Sequence, residues 1–134
     1  MLHQVLVFIA EDEPFIALNL ASEVQEARGH VIGPAGSVGE ALSLLEHTQP
    51  HVGLLDVNLS DGEITPVAEL LRARAVPILF YCGHLPPHLR YPDVPVYIKP
   101  MPPAELVIEI AALLRRVDNR PPSKSAILSR SYGA

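Results

Sequence analysis

Lysine is nearly missing from this chain of 134 residues: one, Lys99, stands in residues 1–123. Surface lysines normally come in numbers, so a solitary one closing the apolar run VPVYIKP is placed rather than scattered. Cysteine is as scarce. Cys82 alone excludes an internal disulfide framework and leaves too little sulfur for a structural zinc site. Long apolar runs are absent too: the 49% of hydrophobic residues fall in short stretches with polar breaks, none approaching the length needed to cross a bilayer. The start, MLHQVLVF, lacks the basic region and cleavage site of a signal peptide, so a soluble cytoplasmic protein is expected. A basic excess is missing as well, with 10 Lys and Arg against 15 Asp and Glu. Arg120, Lys124 and Arg130 all lie beyond Asp118, which leaves the body more acidic than the net charge of -5 suggests. Nucleic-acid binding needs clustered cations to displace counterions, so direct contact with DNA or RNA is not expected.

What is present reads as alternating strands and helices in one domain. Val5 to Ala10 is a short, branched, buried strand ending in charge. Pro14 opens a helix with Ile16, Leu20, Val24 and Ala27 on its apolar face and Gly29 as its stop. His30 to Gly33 is a brief second strand, and Ser37 with Glu40 forms a capping box ahead of Val38, Ala41, Leu42 and Leu45. His51 to Leu55 is a third strand, after which Asp56 to Gly62 turns away and Thr65 caps a third helix with Pro66 in its first turn. Pro77 to Tyr81 is the fourth strand. The adjacent Pro86 and Pro87 make any fourth helix short or irregular. Val94 to Ile98 is the fifth strand, and Leu106, Ile110, Leu113 and Val117 stripe the last helix. This pattern predicts an α/β, flavodoxin-like three-layer sandwich whose parallel five-stranded sheet has the order 2-1-3-4-5, over residues 1–118. Residues 119–134, without periodicity, are expected to form a disordered tail.

In such a sheet the carboxyl ends of the strands share one crevice. Three of those ends carry the run Glu11-Asp12-Glu13, then Asp56, then Lys99. Taken singly, Glu11 and Glu13 are ordinary helix N-terminal carboxylates, Asp56 is a turn residue and Lys99 a strand exit. Their joint occurrence on one sheet edge argues for a site. Carboxylates crowded together raise one another's pKa, so such crowding asks for a cation.

The motifs EDEP after the first strand, LLDVNL after the third and IKP after the fifth resemble those of response-regulator receiver domains of two-component signalling, over residues 4 to about 118. LLDVNLSDGE and VGPAGSVGEAL resemble in particular the single-domain regulators of alphaproteobacteria. The resemblance implies that Asp56 accepts a phosphoryl group from a histidine kinase or phosphotransfer protein, and that Lys99 contacts the added group. It also implies Mg2+ held by Asp12, Asp56 and the backbone carbonyl of Asn58, with Glu11 acting directly or through water; oxygen ligands of this kind suit magnesium. The protein would then signal through altered protein contacts or serve as a phosphate sink, as a monomer or weak dimer with no separate enzymatic activity.

Two positions depart from the family pattern. Where a Thr or Ser usually ends the fourth strand stands Cys82, whose thiol is a weak donor. Where an aromatic residue usually lies three positions before the lysine stands Val96, with Tyr97 on the opposite face of the strand. The usual relay is therefore absent or rewired, with His84 a possible polar substitute. These departures favour an alternative, a pseudo-receiver that binds a partner without phosphorylation. A second alternative, a phosphatase working through an aspartyl-phosphate, needs a second acid near Asp56 where Asn58 stands. His3, His30, His47, His51 and His88 read as solvated or satisfied polar residues.

Overall fold

Five short apolar runs assemble into one parallel sheet in the computed structural model, which describes residues 1–119. The strands are β1 (Leu6–Ala10), β2 (His30–Ala35), β3 (Val52–Leu55), β4 (Ile78–Cys82) and β5 (Val96–Ile98), and their spatial order is 2-1-3-4-5 as expected. Helices α1 (Pro14–Glu26), α2 (Val38–Glu46), α3 (Thr65–Ala73) and α4 (Pro103–Asp118) complete the layers. Strand periodicity divides the core: Phe8, Ala10, Leu55, Phe80 and Cys82 point into the cluster shared with α2 and α3. Val7, Ile9, Leu54, Leu79 and Tyr81 point into the cluster shared with α1 and α4.

The expected connection between β4 and β5 is irregular, as two adjacent prolines require. It holds a single 3-10 turn, Pro87–Leu89, whose Leu89 plugs the core. The turn expected after Asp56 contains a small antiparallel hairpin, Asn58–Leu59 against Gly62–Glu63, standing apart from the main sheet.

Three local readings need correction. Strand β2 runs two residues beyond Gly33, because an extra residue is accommodated as a bulge between the Phe8–Ile32 and Ala10–Ala35 pairs. Gly33 makes that bulge possible: its φ is +100°, and a Cβ there would stand 2.8 Å from the Ile9 carbonyl oxygen. Helix α1 is stopped by Arg28 in the left-handed region at φ +71°, whereas Gly29 is needed for close approach, since a Cβ would meet Val24 Cγ1 at 2.8 Å. Thr65 does not cap α3. It is the first helical residue, Ile64 is the N-cap, and the Thr65 hydroxyl donates instead to Glu63 Oε1. The Ser37 half of the capping box predicted for α2 is present, with the Glu40 N–H donating to Ser37 Oγ at 3.0 Å. Asn119, expected to begin the tail, caps α4 through its N–H to the Arg115 carbonyl, and the rest of that tail lies outside the described residues.

Candidate functional site

The sheet's hydrogen-bond ladder continues one residue past three strands, and each time the extra residue is a charged one. Glu11 donates its N–H to the Ala35 carbonyl of β2 (2.9 Å), Asp56 to the Ala10 carbonyl of β1 (2.9 Å), and Lys99 to the Cys82 carbonyl of β4 (2.8 Å). The bulge that lengthens β2 is thus what seats Glu11. Backbone pairing fixes all three Cα positions before any side chain is considered.

Between them the side chains form a compact charged knot. Lys99 Nζ lies 2.7 Å from Glu11 Oε1 and donates to Asp56 Oδ2 at 2.9 Å. The Lys99 ammonium is thus shared between the two carboxylates, its contact with the buried Glu11 Oε1 being a short ion pair. Glu11 Oε2 accepts from the Glu13 N–H at 3.2 Å, and Asp56 Oδ1 from the Val57 N–H at 2.7 Å. Asp12, exposed, completes the group: carboxylate oxygens of Glu11, Asp12 and Asp56 all lie within 4.8 Å of one another, and no other such metal-holding cluster occurs among the described residues. Burial, with the Asp56 charge adding to it against the pull of Lys99, pushes the Glu11 carboxyl up to about 7. The Lys99 ammonium is held above its ordinary range: burial opposes the charge, and the two carboxylates outweigh that loss.

Asn58 opens the hairpin two residues beyond Asp56 on the same edge, exposed and paired with Glu63. Cys82 ends β4 and is 1% exposed; burial pushes its thiol up, away from the reactive thiolate form. Val96 packs into the α2–α3 side of the core near Phe80 and Tyr91. Tyr97 lies on the other face and donates to Glu109 Oε2 at 2.9 Å. The aromatic side chain beside the lysine is therefore turned away from Cys82. His84 is exposed at the surface beyond Cys82.

Sequence reasoning overlooked several supporting residues. Asp61, read as part of a turn, accepts from the Val38 and Gly39 N–H groups at 2.6 and 3.1 Å, which holds its carboxylate below the usual range. His88 meets Glu63 at 2.7 Å, joining the connection between β4 and β5 to the hairpin after Asp56. Tyr91 donates to Glu69 Oε1 at 2.7 Å and lies beneath the Arg72 guanidinium, 4.1 Å from its ring centroid. These hydrogen bonds join segments 22 to 25 residues apart, and no local motif announces them.

A parallel 2-1-3-4-5 sheet with an acidic group at the ends of β1 and β3 and a lysine after β5 defines the receiver class of signalling domains, and the comparisons agree. No family model matches the chain. The solution structure of SdrG from Sphingomonas melonis Fr1 is 36% identical with a TM-score of 0.70, covering 84% of this chain and 97% of that one. The Erythrobacter litoralis PhyR response regulator REC domain, at 24% identity and TM-score 0.77 over 90% of this chain and 97% of that one, shares the fold. The phyllosphere-induced regulator PhyR of Methylorubrum extorquens is 35% identical over 81 residues, 58% of this chain. The chain belongs to the response-regulator receiver domains. It spans between 30% and 36% of the length of the curated regulators it matches. Among the described residues no helix is long and apolar enough to cross a membrane.

Proposed function

We propose that this receiver domain accepts a phosphoryl group on Asp56 from a phosphohistidine of a histidine kinase or phosphotransfer protein. The observation that carries this reading is Lys99 Nζ bridging Glu11 and Asp56 at 2.7 and 2.9 Å in a knot that also gathers Asp12. A carboxylate oxygen of Asp56 attacks phosphorus, the P–N bond breaks, and the imidazole leaves with its electron pair. Lys99, already beside Asp56, then pairs with an oxygen of the added group. Transfer of this kind passes through a loose transition state, so positioning and charge neutralisation supply most of the catalysis.

The donor set fits a hard divalent cation. Three carboxylates face one another, and one lysine ammonium, shared between Glu11 and Asp56, neutralises only part of their charge and does not serve Asp12. Glu11, Asp12 and Asp56 with the backbone carbonyl of Asn58 would hold Mg2+, which supplies charge neutralisation at the transferring group. Phosphorylation then alters contacts with a downstream protein, or the domain drains phosphate from its donor as a sink. A second reading, a partner-binding module that works without phosphorylation, is favoured by the buried thiol at Cys82 and the aliphatic Val96. Incubation with Mg2+ and acetyl phosphate, followed by intact mass measurement, separates the two. One added phosphoryl group supports the first; no addition, under conditions where another receiver domain reacts, selects the second.

A further inference from the structure

Lys99 can bridge two carboxylates only if the turn carrying it is held in place, and β4 holds that turn at both ends. At one end the Lys99 N–H donates to the Cys82 carbonyl at 2.8 Å. At the other, the hydroxyl of Tyr81, the residue just before Cys82, donates to the Met101 carbonyl at 2.8 Å and accepts from the Met101 N–H at 3.2 Å. Pro100 between them has no N–H to offer. The Tyr81 ring, 5% exposed, also lies 5.4 Å from Lys99 Nζ, inside the range where an aromatic face attracts a cation. A phenylalanine would fill the same space in the α1–α4 side of the core, so core packing alone does not ask for a hydroxyl there.

We infer that Tyr81 is a positioning residue for Lys99: its hydroxyl locks the Lys99–Pro100–Met101 turn and its ring supports the ammonium between Glu11 and Asp56. The inference rests on the proposed phosphoryl transfer only for its rate measurement. The chain contains two lysines, Lys99 and Lys124, so lysine-selective labelling yields two side-chain NMR signals, and Lys99→Arg identifies the relevant one. Tyr81→Phe should keep the ring-induced shift of the Lys99 methylenes. Its Lys99 amide should exchange with solvent roughly tenfold faster, and uptake from acetyl phosphate should slow roughly fivefold with unchanged Mg2+ affinity, the scale set by one lost neutral hydrogen bond. Tyr81→Leu should in addition abolish the ring-induced shift. A core-filling role alone would lower the unfolding midpoint of both variants while leaving the Lys99 amide and side-chain signals as in the wild type, and that result overturns the inference. If the wild type takes up no phosphoryl group, the proposed function fails while the exchange and shift measurements still decide the role of Tyr81. Should Tyr81→Leu not fold, Tyr81→Phe decides alone.

Discussion

Asp56 is the residue on which the proposed chemistry turns, and it can be removed cleanly. Asp56→Asn keeps the volume and takes one charge out of the acidic group, the relief of carboxylate crowding offsetting the lost Lys99 contact, so the variant should fold with an undiminished unfolding midpoint and acquire no phosphoryl group by mass. Full uptake by the variant would refute the assignment. Asp12 and Glu11 separate by burial: Glu11 is engaged by Lys99 and the Glu13 N–H, whereas Asp12 is exposed and has its carboxylate available. Titration of Mg2+ should therefore show Asp12→Ala losing more affinity than Glu11→Ala, by roughly tenfold or more for a lost direct ligand. Cys82→Thr would place a hydroxyl where a thiol is now buried. Without phosphate it should cost about 1 kcal/mol for an unsatisfied polar group. With phosphate it should strengthen the shift changes in residues 83–87, because a hydrogen bond to a charged group is worth about 1.5–3 kcal/mol; Cys82→Ala should change them little. The charged residues of the site were legible in the sequence because each stands directly after an apolar run and cannot be core. Tyr81 was not, since at a strand's end it reads as one more apolar residue.

Helix starts carry the next level of organisation, and here α2 and α3 differ. The α2 start is served from within by Ser37 and from outside by Asp61, a residue of the hairpin beyond β3. Asp61 therefore ties α2 to the segment that follows Asp56. Its carboxyl is held low by the Val38 and Gly39 N–H groups, so the stabilisation is present above the ordinary carboxylate pKa and fades as pH falls through the depressed value. Asp61→Ala should lower the thermal midpoint by roughly a few degrees at neutral pH, and the gap between variant and wild type should close in acid. An unchanged gap down to low pH would show that packing, not the carboxylate, is responsible. The Ser37 cap was readable because its geometry is local. Thr65 misled for the same reason: a threonine before Pro66 has the right sequence for a cap, but Glu63, brought alongside by the hairpin, takes its hydroxyl. The extension of β2 was hidden by Gly33-Pro34, which reads as a strand's end and serves as a bulge.

Taken as a whole, residues 1–119 close both sides of the sheet, α4 supplying Leu106, Val107, Ile110, Ala111 and Leu113 to one of them. A chain ending at Asn119 should accordingly unfold in one cooperative step with the full-length midpoint, checked by denaturant titration; a broadened or lowered transition would show that later residues contribute. Order and layering of this architecture follow from strand count and crossover handedness, which short apolar runs reveal well. One region escapes that logic. Between β4 and β5 the chain has a 3-10 turn where a helix would otherwise cross, and its internal backbone bonds are few: Leu89 to Pro86, Arg90 to Pro87 and Val94 to Tyr91. Besides the buried Leu85 and Leu89, what secures it are surface side chains, His88 to Glu63, Tyr91 to Glu69 and Arg72 to Asp93. A helix opens cooperatively, whereas a segment held by separate clasps can be released one clasp at a time. Its opening free energy is then set by these clasps and the burial of Leu85 and Leu89 instead of by the stability of the whole domain. Amides of residues 83–93 should exchange with solvent orders of magnitude faster than those of β1 and β3, making this the part of the surface most cheaply reshaped by whatever binds beside it.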